Sequence, residues 1–316
     1  MNDLAHALYK RRIERGALEL DIPEAEIRVD ENGKPVEICF RERGESEKLI
    51  EEFMLQANEA VAEFMCKREH PTVYRVHENP DPDKLRAFAQ FARPFGYRID
   101  PSKPEDTAQF QVVLRGAKND PKQRVLPTLL LRSLARARYA DECIGHYGLK
   151  AKYYLHFTSP IRRYPDLEIH RMIKKMLHGE LDEKASAYYR RKMPDWAKHC
   201  SKQERVAEDA ERDTDALKKV EFMEDKVGQI YEGIISGVTN WGIYVELPNT
   251  IEGMVALSQM DDDYYEFDEK KMLVFGKRTK KSYRLGDKVV VSVAKVDRMM
   301  GTIDFVFEKE NEDFQE

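Results

Sequence analysis

The sequence predicts an α+β chain. A mixed helical and sheet region, residues 1–225, is followed by a small five-stranded all-β barrel, residues 226–316, that closes on a short acidic tail. Three observations predict this. Apolar residues recur at helical spacing through most of the first region, with one alternating hairpin among them. From Val227 the pattern switches to short alternating runs between Gly and Asn turns. A length of 316 residues suffices for two such domains.

In chain order, residues 4–15 read as a helix that Gly16 stops. In "ALELDIPEAEIRVDENGKPVEICF", Ile27 and Val29 alternate with polar residues, "DENGKP" supplies turn chemistry, and Val36, Ile38 and Phe40 alternate again. That is a hairpin. "SEKLIEEFMLQANEAVAEFMCKRE" reads as a helix capped by Ser46, with Leu49, Phe53, Ala57, Ala60 and Phe64 on its apolar face. Further helices are expected at residues 81–96, through Leu85, Phe88, Ala89 and Phe91, and at about 126–139. Pro165 opens another, with Asp166 and Glu168 at its positive end, Lys174, Lys175 and His178 at its negative end, and Ile169, Met172, Ile173 and Met176 buried. A polar helix at about 195–225 then leads to the barrel runs "GQIYEGIISGVTNWGIYVEL", "IEGMVALSQM", "YRLGDKVVVSVAKVD" and "GTIDFVFE".

With 41% hydrophobic and 35% charged residues the chain is globular rather than disordered. A net charge of -5 excludes a uniformly basic nucleic-acid binder. Between residues 150 and 202, however, Lys and Arg outnumber Asp and Glu roughly two to one, which marks a local basic region. Cys39, Cys66, Cys143 and Cys200 are far apart and form no CxxC pair, so they read as buried reduced thiols. His146, His156 and His170 do not sit at metal-ligand spacing. No apolar run spans a bilayer and no apolar signal core opens the chain, so no membrane is expected and the cytoplasm is the expected compartment.

The stretch that carries most chemistry is "YLHFTSPIRRYPDLEIHR", residues 154–171. It sets Arg162 and Arg163 between a Ser-Pro turn and Pro165. Guanidiniums match phosphate oxygens bidentately and stay charged, and the prolines restrict the backbone on both sides. The residues alone leave two readings open, a phosphate site and a structural ion pair to a helix carboxylate.

The same stretch resembles the signature of the RNase R and RNase II exoribonuclease family. "RRIERGALELDIPEAEIRVDENGKPVEI", "RERGESEKLIEEFMLQANEAVAEF", "LLLRSLARARYADECIGHYGLKAKYYLHFTSPIRRYPDL" and "SKQERVAEDAERD" resemble successive parts of that family's catalytic (RNB) domain, in its order. Such enzymes degrade RNA from the 3′ end to nucleoside 5′-monophosphates with Mg²⁺. The resemblance implies that Arg162, with Arg163 beside it, contacts the scissile phosphate, where a phosphoryl transition state gathers charge. It implies that Glu51 and Glu52 hold the terminal ribose, a contact to the 2′-OH being one way to prefer RNA over DNA. As residues on a helix, the two glutamates equally suit a solvated face. Glu211, in "AERD", is a further candidate near the last nucleotide. Tyr154 and Tyr164 flank the arginines as channel or core aromatics.

The family's Asp-rich Mg²⁺ cluster has no counterpart upstream of the arginines. Asp261, Asp262 and Asp263 read as an acidic loop of the barrel. The chain therefore resembles the C-terminal part of such an enzyme, with Mg²⁺ ligands expected on a missing N-terminal half of the RNB domain, a candidate partner. Alone it is expected to be inactive, and a non-catalytic RNA-binding module is the alternative. The barrel resembles the OB-fold of the ribosomal protein S-one type, whose stacking aromatics fall at Trp241 and Tyr244; Ala256 stands where many such domains carry a histidine. Strict alternation would group Trp241 with Ile243 and Val245 and turn Tyr244 to the opposite face unless a bulge at Gly242 intervenes. Lys174 and Lys175 suit an exposed helix end or a phosphate contact. Single-stranded RNA is the expected partner.

Overall fold

The structure, a computed structural model, describes residues 1–20, 24–41, 43–119, 123, 125–269 and 272–308. The chain divides into two compact units. One comprises Met1–Leu20, Arg43–Leu114 and Leu130–Asp209; the other comprises Asp21–Glu42, Arg115–Leu129 and Ala210–Glu316.

In the first unit, α1 (Asn2–Glu14) packs on α2 (Glu45–Lys67). Gly16 ends α1 at φ +105, where a Cβ would also lie 2.5 Å from the Thr107 hydroxyl. The cap of α2 falls earlier than the sequence predicts. Gly44 is the N-cap, and Glu47 reaches back to accept its N–H at 3.1 Å, while Ser46 already lies inside the helix. The buried line of α2 also differs. Glu52, Asn58, Ala62 and Met65 are buried, whereas Leu49, Phe53, Ala57 and Phe64 are half-buried and Ala60 is exposed. Apolar periodicity misplaces this face because two of its inward residues are polar.

Asp81 caps α3 (Pro82–Ala92) by accepting from the N–H groups of Asp83 and Lys84, and a single 3₁₀ turn (Arg93–Phe95) carries the chain to Gly96 at φ +89. Two elements had no sequence signal strong enough to mark them: β3 (Tyr74–Val76) and α4 (Ala108–Asn119). The helix expected at about 126–139 is shorter. It ends as α5 (Val125–Ser133), and residues 138–140 form β4 (Arg138–Ala140), antiparallel to β3. Pairing with a distant strand overrides the helix preference of the alanines there. The last helices are α6 (Tyr164–Leu177) and α7 (Glu183–Met223), the latter starting well before the expected residue 195 and containing Pro194. Ala62, Met65, Val73, Tyr74, Val76, Tyr139, Leu155, Ile169, Met172 and Met193 form the core of this unit.

The second unit contains the foreseen hairpin, β1 (Ala25–Val29) with β2 (Pro35–Phe40), paired in the register Ile27–Ile38. Its barrel is closed in the order β11–β12–β7–β6–β5, from β5 (Ile230–Val238), β6 (Gly242–Glu246), β7 (Glu252–Ala256), β11 (Lys288–Asp297) and β12 (Thr302–Phe307). Ile235, Ile243, Val245, Val255, Val291, Val293 and Phe305 fill it. Between β7 and β11 lies an unexpected three-stranded sheet, β8 (Tyr265–Asp268), β9 (Leu273–Gly276) and β10 (Ser282–Arg284). The Tyr283 ring stacks on Phe307 of the barrel at 4.6 Å. Among the described residues no helix is long and apolar enough to cross a membrane.

The core of the first unit holds two neutral histidines. Burial pushes His146 down to about 3, with His77 adding to it, and His156 down to about 2, with Arg163 and Arg75 adding to it. Both protonate in the unfolded chain near pH 6.5, so the unfolded state binds more protons below that pH. Stability contributed by neutral burial is complete above about pH 6.5 and declines as the pH falls towards 3, by about 1.4 kcal/mol per pH unit for each histidine. In a Trp241→Phe chain, Trp196 reports this unit. Urea unfolding at pH 7.0 and 5.5 should show a marked loss at the lower pH, and His156→Gln should flatten that dependence. An unchanged slope in the variant would show that His156 is already charged in the fold.

Candidate functional site

The turn that bears the two arginines is held by one buried carboxylate. Asp166, on the first turn of α6, is 0% exposed. Its Oδ1 accepts the backbone N–H of Ser159 at 2.8 Å and Nη2 of Arg163 at 2.7 Å; its Oδ2 accepts Nε of Arg163 at 2.9 Å. The N–H groups of Arg162 and Arg163 both donate to the Ser159 carbonyl, at 3.3 and 3.0 Å. Pro165 suits the start of α6, where no intrahelical N–H is required. The consequence separates the arginines. Arg163 is bound in an internal ion pair. Arg162, one residue earlier, is exposed, and its side chain has no hydrogen bond or ion pair among the described residues.

Beside this turn opens a cleft of about 480 Å³, lined by Ser46, Glu47, Ile50, Glu51, Met54, Leu55 and Asn58 of α2 together with Tyr154 and Arg163. Asn58, buried on α2, fixes the far wall. Its Oδ1 accepts the N–H of Phe157 at 2.9 Å and its Nδ2 donates to the Tyr154 hydroxyl at 3.3 Å. Tyr154 is thereby an inner wall of the cleft, its ring edge-on to His146 and His156, with burial raising the affinity of its hydroxyl for its proton. Tyr164 is half exposed at the start of α6, with burial and the nearby Glu168 carboxylate raising the affinity of its hydroxyl for its proton.

The glutamate pair is also divided between an ion-paired and a freer member. Glu51 faces the cleft, with Arg43 at 3.5 Å. Glu52 points about 100° away around the helix and pairs with Arg12 of α1 through Nε at 3.0 Å and Nη2 at 2.5 Å, both side chains at 10% exposure or less. A carboxylate so used is a scaffold element, not a wall of the cleft. His170 donates from Nε2 to the Phe157 carbonyl, 2.9 Å away, and stacks on the Phe157 ring at 4.0 Å, so it too braces the turn. Lys174 is exposed, and Lys175 lies 3.7 Å from Glu180.

In the second unit, Glu211 is exposed on α7. The strict alternation expected for the aromatics does not hold. Trp241 precedes β6 in a tight turn, where the Thr239 hydroxyl receives the N–H groups of Trp241 and Gly242 at 3.3 and 3.2 Å. It is therefore 73% exposed instead of sharing the inward face of Ile243 and Val245. Gly242 permits this approach, since a Cβ there would lie 2.6 Å from the Val255 carbonyl. The register shift falls in β5, between Ile235 and Gly237, not at Gly242. Tyr244 pairs with Gly237, whose absent side chain leaves room for the tyrosine ring.

Asp263 organises a turn. It accepts from the N–H groups of Tyr264, Arg278 and Thr279 and from the Thr279 hydroxyl. Although burial alone would raise it, these bonds hold it well below the usual carboxylate range. Among the described residues no group of three or more His, Cys, Asp or Glu is placed to hold a metal ion, so these residues do not fit a Mg²⁺ site.

Fold and turn together define a mixed helical and sheet chain with a braced arginine turn and a closed five-stranded barrel. Residues 1–179 match the RNB domain family and residues 224–306 the S1 RNA binding domain; the chain belongs to the RNB family and is homologous to RNase R. It is 44% identical over 308 residues to ribonuclease R 1 of Lactococcus lactis, which spans 97% of this chain and 38% of that protein. It is 42% identical over 316 residues to ribonuclease R of Thermotoga maritima, spanning 98% of this chain and 44% of that one. The chain thus covers less than half the length of these relatives. The apo form of Mycoplasma genitalium RNase R matches at a TM-score of 0.91 and 26% identity, over 97% of this chain and 48% of that one. The same enzyme in complex with ribose-methylated single-stranded RNA matches equally.

The split of the glutamates has a measurable consequence. Glu52→Ala leaves Arg12 buried without its partner and should cost about 3–5 kcal/mol of stability. Glu51→Ala removes a half-exposed carboxylate and should change stability by less than about 0.5 kcal/mol. Denaturant melts of both variants decide this; equal losses would mean that Glu51 is also structural.

Proposed function

We propose that this chain supplies the RNA-gripping part of a 3′-to-5′ exoribonuclease of the RNase R type, acting on single-stranded or structured RNA. The observation that carries the reading is the unpaired, exposed guanidinium of Arg162 on a braced turn next to the cleft. In this reading Arg162 meets the scissile phosphate. Water adds to phosphorus, the bond from phosphorus to the upstream 3′-oxygen breaks, that oxygen takes up a proton, and a nucleoside 5′-monophosphate leaves. Arg162 holds the non-bridging oxygens, on which charge accumulates as the water adds. Glu51 accepts from the ribose 2′-OH, while Tyr154 and Tyr164 line the path of the RNA. Glu211 contacts the end of the strand. Trp241 and Tyr244 hold upstream bases by stacking, which is indifferent to sequence.

Mg²⁺, which the family implies, would supply charge neutralisation and an activated water; the described residues offer it no ligand set. That same observation favours a second reading, a non-catalytic RNA-binding module. The two separate on incubating the chain with 5′-labelled single-stranded RNA and Mg²⁺. Stepwise shortening from the 3′ end supports an enzyme complete in this chain. Tight binding without shortening leaves either a binding module or a grip that needs the N-terminal part of the RNB domain, and adding that part discriminates them.

Binding itself is testable. In a Trp196→Phe chain, oligoadenylate should quench the remaining fluorescence of Trp241, and the quenching should weaken as salt is raised. A flat titration at low salt would remove the barrel from the RNA path. Arg162→Ala should lower the slope of log affinity against log salt by about 0.7, one single-strand phosphate contact. An unchanged slope would remove Arg162 from the phosphate.

A further inference from the structure

We infer that Asp166 is a positioning residue for Arg162, acting through Arg163 and the Ser159 backbone. The inference rests on the proposed phosphate role of Arg162 and adds the element that sets its direction. Two geometric facts carry it. First, Asp166 is completely buried and its carboxylate takes three donors, all from the turn that bears Arg162. One is the N–H of Ser159, the residue whose carbonyl receives the N–H groups of Arg162 and Arg163. The loop is thus closed at both ends on one residue pair. Second, the Arg163 guanidinium is consumed in this closure, with its side chain only 18% exposed. Arg163 is a strut, and the basic doublet presents one outward cation.

A guanidinium aims two donors at a phosphate only if its Cα–Cβ direction is fixed. A free turn would spread Arg162 over many orientations, and ordering it on binding would weaken the contact. Charge-assisted bonds to a buried carboxylate hold that turn more firmly than neutral ones. No other titratable side chain is hydrogen-bonded to the Asp166 carboxylate among the described residues; Tyr139 lies within electrostatic range of both Asp166 and Arg163, and His156 of Arg163.

The test is a double-mutant cycle in the full chain. Wild type, Asp166→Asn, Arg162→Ala and the double variant are titrated with a 5′-fluorescein-labelled oligoadenylate at several salt concentrations, and each is melted. Asp166→Asn keeps the shape but disrupts the Arg163 fork. It should lower affinity about tenfold and reduce the salt slope by about 0.7, as Arg162→Ala does. In the Arg162→Ala background it should change affinity less than about twofold. A general structural role would instead lower affinity equally in both backgrounds, and that result overturns the inference, as does an Asp166→Asn chain that binds like wild type while Arg162→Ala is weakened. If Arg162→Ala alone leaves affinity and slope intact, the phosphate reading itself fails, which is a separate outcome. Should Asp166→Asn not fold, Arg163→Gln takes its place in the same cycle, since it breaks the fork and spares the bond to Ser159. Failure of both variants to fold would make the brace a stability element and also overturn the inference.

Discussion

The carboxylate of Asp166 is the constraint on which the arginine turn depends. A buried carboxylate is tolerated only when its oxygens are filled with donors, and here three donors come from a stretch of five residues. The requirement runs both ways. The carboxylate needs the turn to be satisfied, and the turn needs the carboxylate to be rigid. Pro160 and Pro165 narrow the backbone choices further, so little entropy remains to be lost at that position when a ligand arrives.

The same device recurs on α2. Asn58 binds one backbone group and one phenol of the segment leading to the arginines, so the helix that carries Glu51 and the segment that leads to Arg162 share a common anchor. Glu52 and Arg12 couple α2 to α1 by a third buried polar contact. Hydrophobic packing supplies the bulk of the stability of this unit, but directionless contacts do not fix the direction of a side chain. The buried polar groups do so because each is costly to leave unpaired. The two histidines, His146 and His156, complete the picture: held neutral by burial, they add no positive charge beneath the arginines at neutral pH.

Much of this was legible in the sequence, for physical reasons. The first helix, the hairpin, the helix after the arginines and the barrel all carry period and turn signals that tertiary structure does not contradict. The arginine stretch was legible by its residue types. What stayed hidden were the polar members of the core. Asn58 and Glu52 look like surface residues to any reading of apolar spacing, and their burial displaced the assigned face of α2. Asp166 looked like an ordinary partner of the helix dipole. Short strands such as β3 and β4 have too few residues to show alternation, and the sheet inserted between β7 and β11 is broken by the charged run that follows Gly276. Trp241 escaped its expected face because a hydroxyl-bonded turn, not a strand, sets its direction.

Each doublet of like residues is divided: Glu52 is held in a buried ion pair while Glu51 faces the cleft, and Arg163 is held in a buried ion pair while Arg162 is exposed. Neighbours on a helix point about 100° apart. The pairs are therefore not reserves of one another. Deleting a single residue between Gly44 and Glu51 would rotate α2 by one position, carry Glu52 towards the cleft and set a non-acidic side chain against Arg12. The identity of the residues would be almost unchanged, and the meaning of every one of them would be reassigned. In this chain the phase of the helix carries as much information as its composition, so gaps near these doublets are more consequential than substitutions within them.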